Sequence, residues 1–113
     1  MVNQNLEDLT RSVIKALQGE HIISEGFSLE NLRNDHRFGF RIYAITEGPG
    51  KHTAEVERNR NQTTVHMEHH VPDGQVFATT QEIASGYNYI TTYIFNREAD
   101  GKLKLIGDNP LNN

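Results

Sequence analysis

The chain has 113 residues, no cysteine and a formal charge of −4, with 35% hydrophobic and 23% charged residues. That length fits one domain, residues 1–113, with a modest core, and the composition is polar but not polar enough for disorder. These values exclude a disulfide framework and a thiolate zinc site, and they argue against nucleic-acid binding, which needs a basic face.

The opening stretch MVNQNLEDLT has no basic region followed by an apolar run, so no signal peptide is expected. No stretch approaches the ~18 apolar residues of a membrane span. A cytoplasmic protein is the resulting expectation. Leu6, Leu9, Val13, Ile14 and Leu17 share one face of a 3.6-residue repeat, which predicts a helix over about 5–18. Asn5 can cap it, Glu7 and Asp8 suit its first turn, and Gly19 can end it. Ser28 followed by Leu29-Glu30-Asn31-Leu32 reads as a cap and a short helical turn, anchored by Phe27, Leu29 and Leu32.

From about His36 the apolar period changes to two. Turn signals at Glu47–Gly50, Asn59–Gln62, Pro72–Gly74 and Ala99–Gly101, with a weaker break at Ala84–Gly86, divide the remainder. They predict six strands at roughly 37–46, 52–58, 63–71, 75–83, 87–96 and 102–107. The fold class expected is α+β: an N-terminal helix and a short helical turn packed on a curved antiparallel meander.

Loop lengths suggest registers for that meander. A four-residue turn at Asn59–Gln62 pairs Val56 with Val65, Ala54 with Met67 and His52 with His69. The loop around Glu47–Gly50 pairs Ala44 with Ala54, Ile42 with Val56 and Arg41 with Glu57. A three-residue loop at Pro72–Gly74 sets His69 against Phe77, Met67 against Thr79 and Val65 against Gln81. Ile83 opposite Tyr87 brings Thr79 to Thr91 and Phe77 to Tyr93. One face then carries Phe40, Ile42, Ala44, Ala54, Val56, Val65, Met67, Phe77, Ile83, Tyr87, Tyr89, Tyr93, Phe95, Leu103 and Leu105, and the helix should cover it. The other face carries Val76, Ala78, Ile90, Thr92 and Ile94. Such a patch suits a homodimer contact, or a twisted sheet covering itself.

The histidine-rich run His66-Met67-Glu68-His69-His70 offers metal-ligating side chains. On a strand His66 and His70 lie roughly 13 Å apart and cannot share one ion. Glu68 and His70 have no evident third ligand, so no metal or other cofactor is expected. His69, by contrast, falls among inward apolar positions, in a row with His52, Phe77 and Tyr93. Two imidazoles and a phenol there could serve as general base and hydrogen-bond donor, or they could be satisfied structural groups. His69, His52 and Tyr93 are the candidate catalytic residues. Tyr87, Tyr89, Phe77, Met67, Gln81 and Thr79 are the candidate lining of a partly wet cavity for a small apolar ligand.

Two stretches carry resemblances. Leu6–Leu17 with YNYITTYIFNREADGKLKLIGDN resembles the ketosteroid-isomerase-like superfamily, which includes nuclear transport factors. That resemblance implies a cone between helix and sheet holding an apolar ligand. Members include isomerases, dehydratases and cyclases, and many only bind. The usual second and third helices are barely represented here, and no Asp matches the family's common base. Gln81-Glu82-Ile83-Ala84-Ser85-Gly86-Tyr87-Asn88-Tyr89 resembles the protease-wedging loop of cystatins, with one residue inserted. It implies an interaction or inhibitor protein acting through the 84–87 loop or a sheet face. A ligand-binding roll, catalytic or not, is the leading expectation and the interaction protein its alternative.

Overall fold

A computed structural model describes residues 2–23, 25–26, 40–57, 64–84 and 87–111. Within them lie one helix and six antiparallel strands: α1 (Val2–Gly19), β1 (Phe40–Glu47), β2 (Gly50–Glu57), β3 (Thr64–Val71), β4 (Gln75–Ala84), β5 (Tyr87–Arg97) and β6 (Leu103–Leu111). The expected helical turn at Ser28–Leu32 lies outside the described residues. No described helix is long and apolar enough to cross a membrane.

Helix α1 begins three residues before the expected cap, so Asn5 is an interior helical residue. Glu7 and Asp8 fall beyond the first turn, where their carboxylates lie 4.0 and 3.7 Å from the Arg11 guanidinium. The apolar stripe is buried only in its second half: Val13, Ile14 and Leu17 are buried, Leu9 is partly buried and Leu6 is 52% exposed. At the C-terminus Ile22 N donates to Leu17 O (2.9 Å) and His21 N to Gln18 O (3.0 Å). This paired arrangement is a Schellman ending, and it puts the left-handed residue at His21 (φ 60°) rather than at Gly19.

The strands do not form a simple meander. Four make one sheet in the order β1-β4-β5-β6, and β2-β3 form a separate two-stranded ribbon. The ribbon register is the expected one, with Val56 opposite Val65, Ala54 opposite Met67 and His52 opposite His69. The expected ladders between β1 and β2, and between β3 and β4, are absent. Instead β1 pairs with β4, Thr46 opposite Phe77 and Ala44 opposite Thr79. The chain leaves the sheet at Gly48 and returns at Pro72–Gly74, and these crossings touch: Gly48 N donates to Gln75 O at 2.8 Å. A side chain at Gly48 would collide with the Pro72 carbonyl, so only glycine fits.

Between β4 and β5 the register is displaced by one residue from expectation. Ala84 opposes Tyr87, so Thr79 meets Thr92, Phe77 meets Ile94 and Ala78 meets Tyr93. A one-residue slip sends every β5 side chain to the opposite face. A bulge between Ile42 and Ala44 makes a similar switch within β1: Ile42 and Ile45 pack with the helix, while Ala44 packs with the ribbon.

The result is three layers, helix on sheet on ribbon. Val13, Ile14, Leu17, Val76, Ala78, Phe95 and Leu103 form the core under α1. Ala54, Val56 and Ile90 form a second core beneath the ribbon, joined by Ala44, Val65, Met67 and Leu111. The central strand β4 is therefore buried on both faces: every residue from Val76 to Gln81 is buried, the polar Thr79, Thr80 and Gln81 included. Much of the patch expected to meet a second copy lies inside the chain, while Ile94 is only partly buried. Val76 and Ala78 face the helix and Ile90 the ribbon, all within the chain's own core.

Candidate functional site

The inner face of the ribbon is set by alternation along β2, which turns His52, Ala54 and Val56 toward the sheet and Lys51, Thr53 and Glu55 outward. His52 is fully buried (0% exposed). Its Nδ1 lies 2.8 Å from Thr46 Oγ1 and its Nε2 2.7 Å from Thr79 Oγ1. Thr79 Oγ1 lies in turn 2.9 Å from Thr92 Oγ1. One hydrogen-bonded spine therefore joins β1, β2, β4 and β5 across both sheets. Burial holds the His52 pKa below its ordinary value, and the neighbouring His69 lowers it further. A neutral imidazole donates through one nitrogen and accepts through the other. Each hydroxyl can do either, so the spine is satisfied in both tautomers.

A hydroxyl beside an imidazole is the beginning of a nucleophile–base pair. Here the ring's other nitrogen meets the Thr79 hydroxyl rather than a carboxylate, so no anion holds the charge an imidazolium would acquire. The spine's chemistry is that of a buried structural network, with every polar group matched.

The expected site residues are partly brought together. The His52 ring centroid lies 6.5 Å from that of His69 and 6.0 Å from that of Phe77; His69 and Phe77 are 6.2 Å apart. Thr79 joins them through its hydroxyl. Met67 lies in the apolar half of the same interface. Gln81 is buried there and accepts from Tyr43 Oη at 2.6 Å. Tyr93 does not join: the displaced register places it on the helix face, opposite Ala78. Burial raises its pKa, with Asp108 and Glu82 adding to the rise. Tyr89 is 55% exposed. The Tyr87 side chain lies outside the described residues, as does the Ser85-Gly86 loop. The two imidazoles are legible in the sequence, whereas Thr46 and Thr92 are not, because only the β1–β4 and β4–β5 registers bring them to His52.

On the ribbon's outer face Lys51 Nζ lies 2.6 Å from Glu68 Oε1, and this ammonium holds the Glu68 carboxyl below its ordinary range. His66 lies between Glu55 (3.4 Å) and Glu68 (3.8 Å). Among the described residues no group of three or more His, Asp or Glu is placed to hold a metal ion.

A concavity of a different kind lies on the helix side. A groove of about 670 Å³ runs between the second half of α1 and the β5–β6 turn. Ser12, Lys15 and Ala16 line one wall and Leu103, Lys104 and Leu105 the other, with Glu20, Glu98, Asp100 and Lys102 at its ends. The turn is shaped by Gly101 (φ 88°) and by Lys102 N donating to Asp100 Oδ1 at 3.0 Å. A second groove, about 390 Å³, lies between α1 and the β1–β2 junction and includes Leu6, Tyr43, Thr46 and Lys51. Comparison with protein-family models, with curated proteins and with solved structures found no match to this chain.

Proposed function

We propose that the chain is a small-molecule-binding α+β protein whose ligand lies in the groove between α1 and the β5–β6 turn. The observation that carries this reading is the groove's size and lining. A volume near 670 Å³ falls within the roughly 300–1,000 Å³ usual for small-molecule sites. Ala16, Leu103 and Leu105 offer an apolar wall, and Lys15, Lys102 and Lys104 offer cations beside it. That arrangement suits a small amphipathic molecule with an apolar body and a polar head. The ketosteroid-isomerase-like resemblance also puts a ligand between helix and sheet, and so supports the location. An isomerase, dehydratase or cyclase step would need a base within reach of the bound molecule, and the carboxylates on this rim are Glu20, Glu98 and Asp100. The His52 spine faces the other side of the sheet and is not part of this site. A cytoplasmic location belongs to the same proposal, and a homodimer would have to use a surface other than Val76, Ala78 and Ile90.

The test is amide chemical-shift mapping with a panel of anionic, cationic and neutral amphiphiles of similar size. Saturable shifts confined to residues 12–20 and 98–105 are expected for at least one class, and lost in Ser12→Phe, which fills the groove. No saturable shift from any class, or shifts spread evenly over the protein, would overturn the reading.

A further inference from the structure

The ribbon is held against the sheet by two unlike contacts. One is apolar, Ala54, Val56, Val65 and Met67 against Ile90 and Ala44. The other is built on imidazoles, His52 and His69 against Phe77, Thr46 and Thr79. We propose that the ribbon is an acid-released flap, and that protonation of the buried His52, which faces His69, loosens β2–β3 from the four-stranded sheet while that sheet stays folded.

Neutral groups surround His52 on every side. From β1 the group facing His52 is the neutral Thr46 hydroxyl; from β4 they are Phe77 and the neutral Thr79 hydroxyl, with Thr92 of β5 behind. From β3 it is His69, with rings stacked at an interplanar angle of 24°. Among the described residues no carboxylate faces His52. Among the described side chains of the ribbon, Lys51, Glu55, His66, Glu68 and His70 lie on its outer face and are exposed. On β1, Glu47 is engaged by Arg97 and sits opposite Val76, in the row of the sheet that faces the helix. A proton on His52 therefore creates a desolvated cation with a second imidazole as its nearest titratable neighbour. Releasing the ribbon hydrates both rings. It breaks no backbone ladder, because β2–β3 share none with the four-stranded sheet. The coupling has a definite sign. An imidazole that stays neutral when buried and titrates near 6.5 when hydrated favours the open form as pH falls below about 6.5, by up to tenfold per pH unit.

Amide hydrogen exchange on the full chain, corrected for intrinsic rates, tests this between pH 7.5 and pH 5. The expected result is that amides of 50–57 and 64–71 open more readily than those of 75–82 and 90–96. The ribbon's opening equilibrium should rise about tenfold per unit below pH 6.5. His52→Gln can still bond both threonines but cannot take a proton, and should flatten this dependence, whereas His69→Gln should reduce it. Equal opening of ribbon and sheet at every pH would overturn the proposal, since the molecule would then be one cooperative unit. A ring-resonance titration of the unaltered chain guards against a misfolded His52→Gln. If His52 takes a proton near its ordinary value while ribbon amides stay protected, the charge is tolerated and the flap does not exist.

Discussion

At the scale of single residues, the threonines around His52 matter more than their type suggests. Thr79 is fully buried and serves two partners at once, His52 Nε2 and Thr92 Oγ1. Thr79→Val keeps the shape but leaves a buried ring nitrogen and a buried hydroxyl each without that partner. The expected loss is about 1–3 kcal/mol, read from urea denaturation at pH 7.5. Thr46→Val should cost less, because Thr46 is only partly buried and water can replace its hydroxyl. Equal and negligible losses for both variants would mean that the spine contributes nothing to stability. The imidazoles themselves were legible in the sequence, because alternation along two strands joined by a short turn aligns His52 with His69. Their hydroxyl partners were not, because Thr46 and Thr79 come from strands whose pairing is decided by packing over long separations rather than by a local turn.

At the scale of elements, the outcome depended on how tightly each junction constrains its neighbours. The ribbon register was readable from turn length alone. The β4–β5 register was not, because a two-residue and a three-residue loop at Ala84–Tyr87 leave equally plausible alternations, and the difference moved Tyr93 to the other face of the sheet. The β1 bulge at Tyr43 hid a switch of faces inside an apparently regular pattern of Phe40, Ile42 and Ala44. Two junctions yield predictions. Helix α1 ends with His21 in the left-handed region while Gly19, still helical, has open space where a Cβ would stand. His21→Gly and Gly19→Ala should each stabilise by roughly 0.5–1 kcal/mol, the first by relieving left-handed strain and the second by removing unfolded-state entropy. The two sites are neighbours, so the double variant is compared with the sum before it is interpreted. Gly48 behaves oppositely. A Cβ there would fall on the Pro72 carbonyl and within 2.8 Å of Val71 O, both rigid backbone atoms. Gly48→Ala should therefore cost on the order of 3 kcal/mol, seen as a lowered midpoint of urea unfolding. A neutral Gly48→Ala would show that the two crossings can separate without loss.

At the scale of the whole molecule, the central sheet is covered on both faces by chemically different layers, and this makes stability depend on pH from two directions. Beneath the ribbon, His52 has its folded pKa depressed by burial and by His69. The unfolded chain then binds more protons as pH falls, so this contribution is complete above about pH 6.5 and is lost progressively below it. Beneath the helix, Tyr93 has its folded pKa raised by burial and by Asp108 and Glu82. The unfolded chain there releases its proton first, so the contribution is complete below about pH 10 and is lost as pH rises beyond it. Stability should thus form a plateau between about pH 6.5 and pH 10 with a decline on each side, and the two declines belong to opposite layers. Tyr93→Phe keeps the ring and removes the titrating group, so it should weaken the alkaline decline and leave the acidic one unchanged. His52→Gln should do the converse. Thermal midpoints of the three proteins, taken at intervals from pH 5 to pH 11, decide the matter. If Tyr93→Phe leaves the alkaline limb as steep as before, the decline comes from general charge repulsion among the lysines and carboxylates of the surface. The layers would then be coupled through net charge rather than through the groups packed against each face of the sheet.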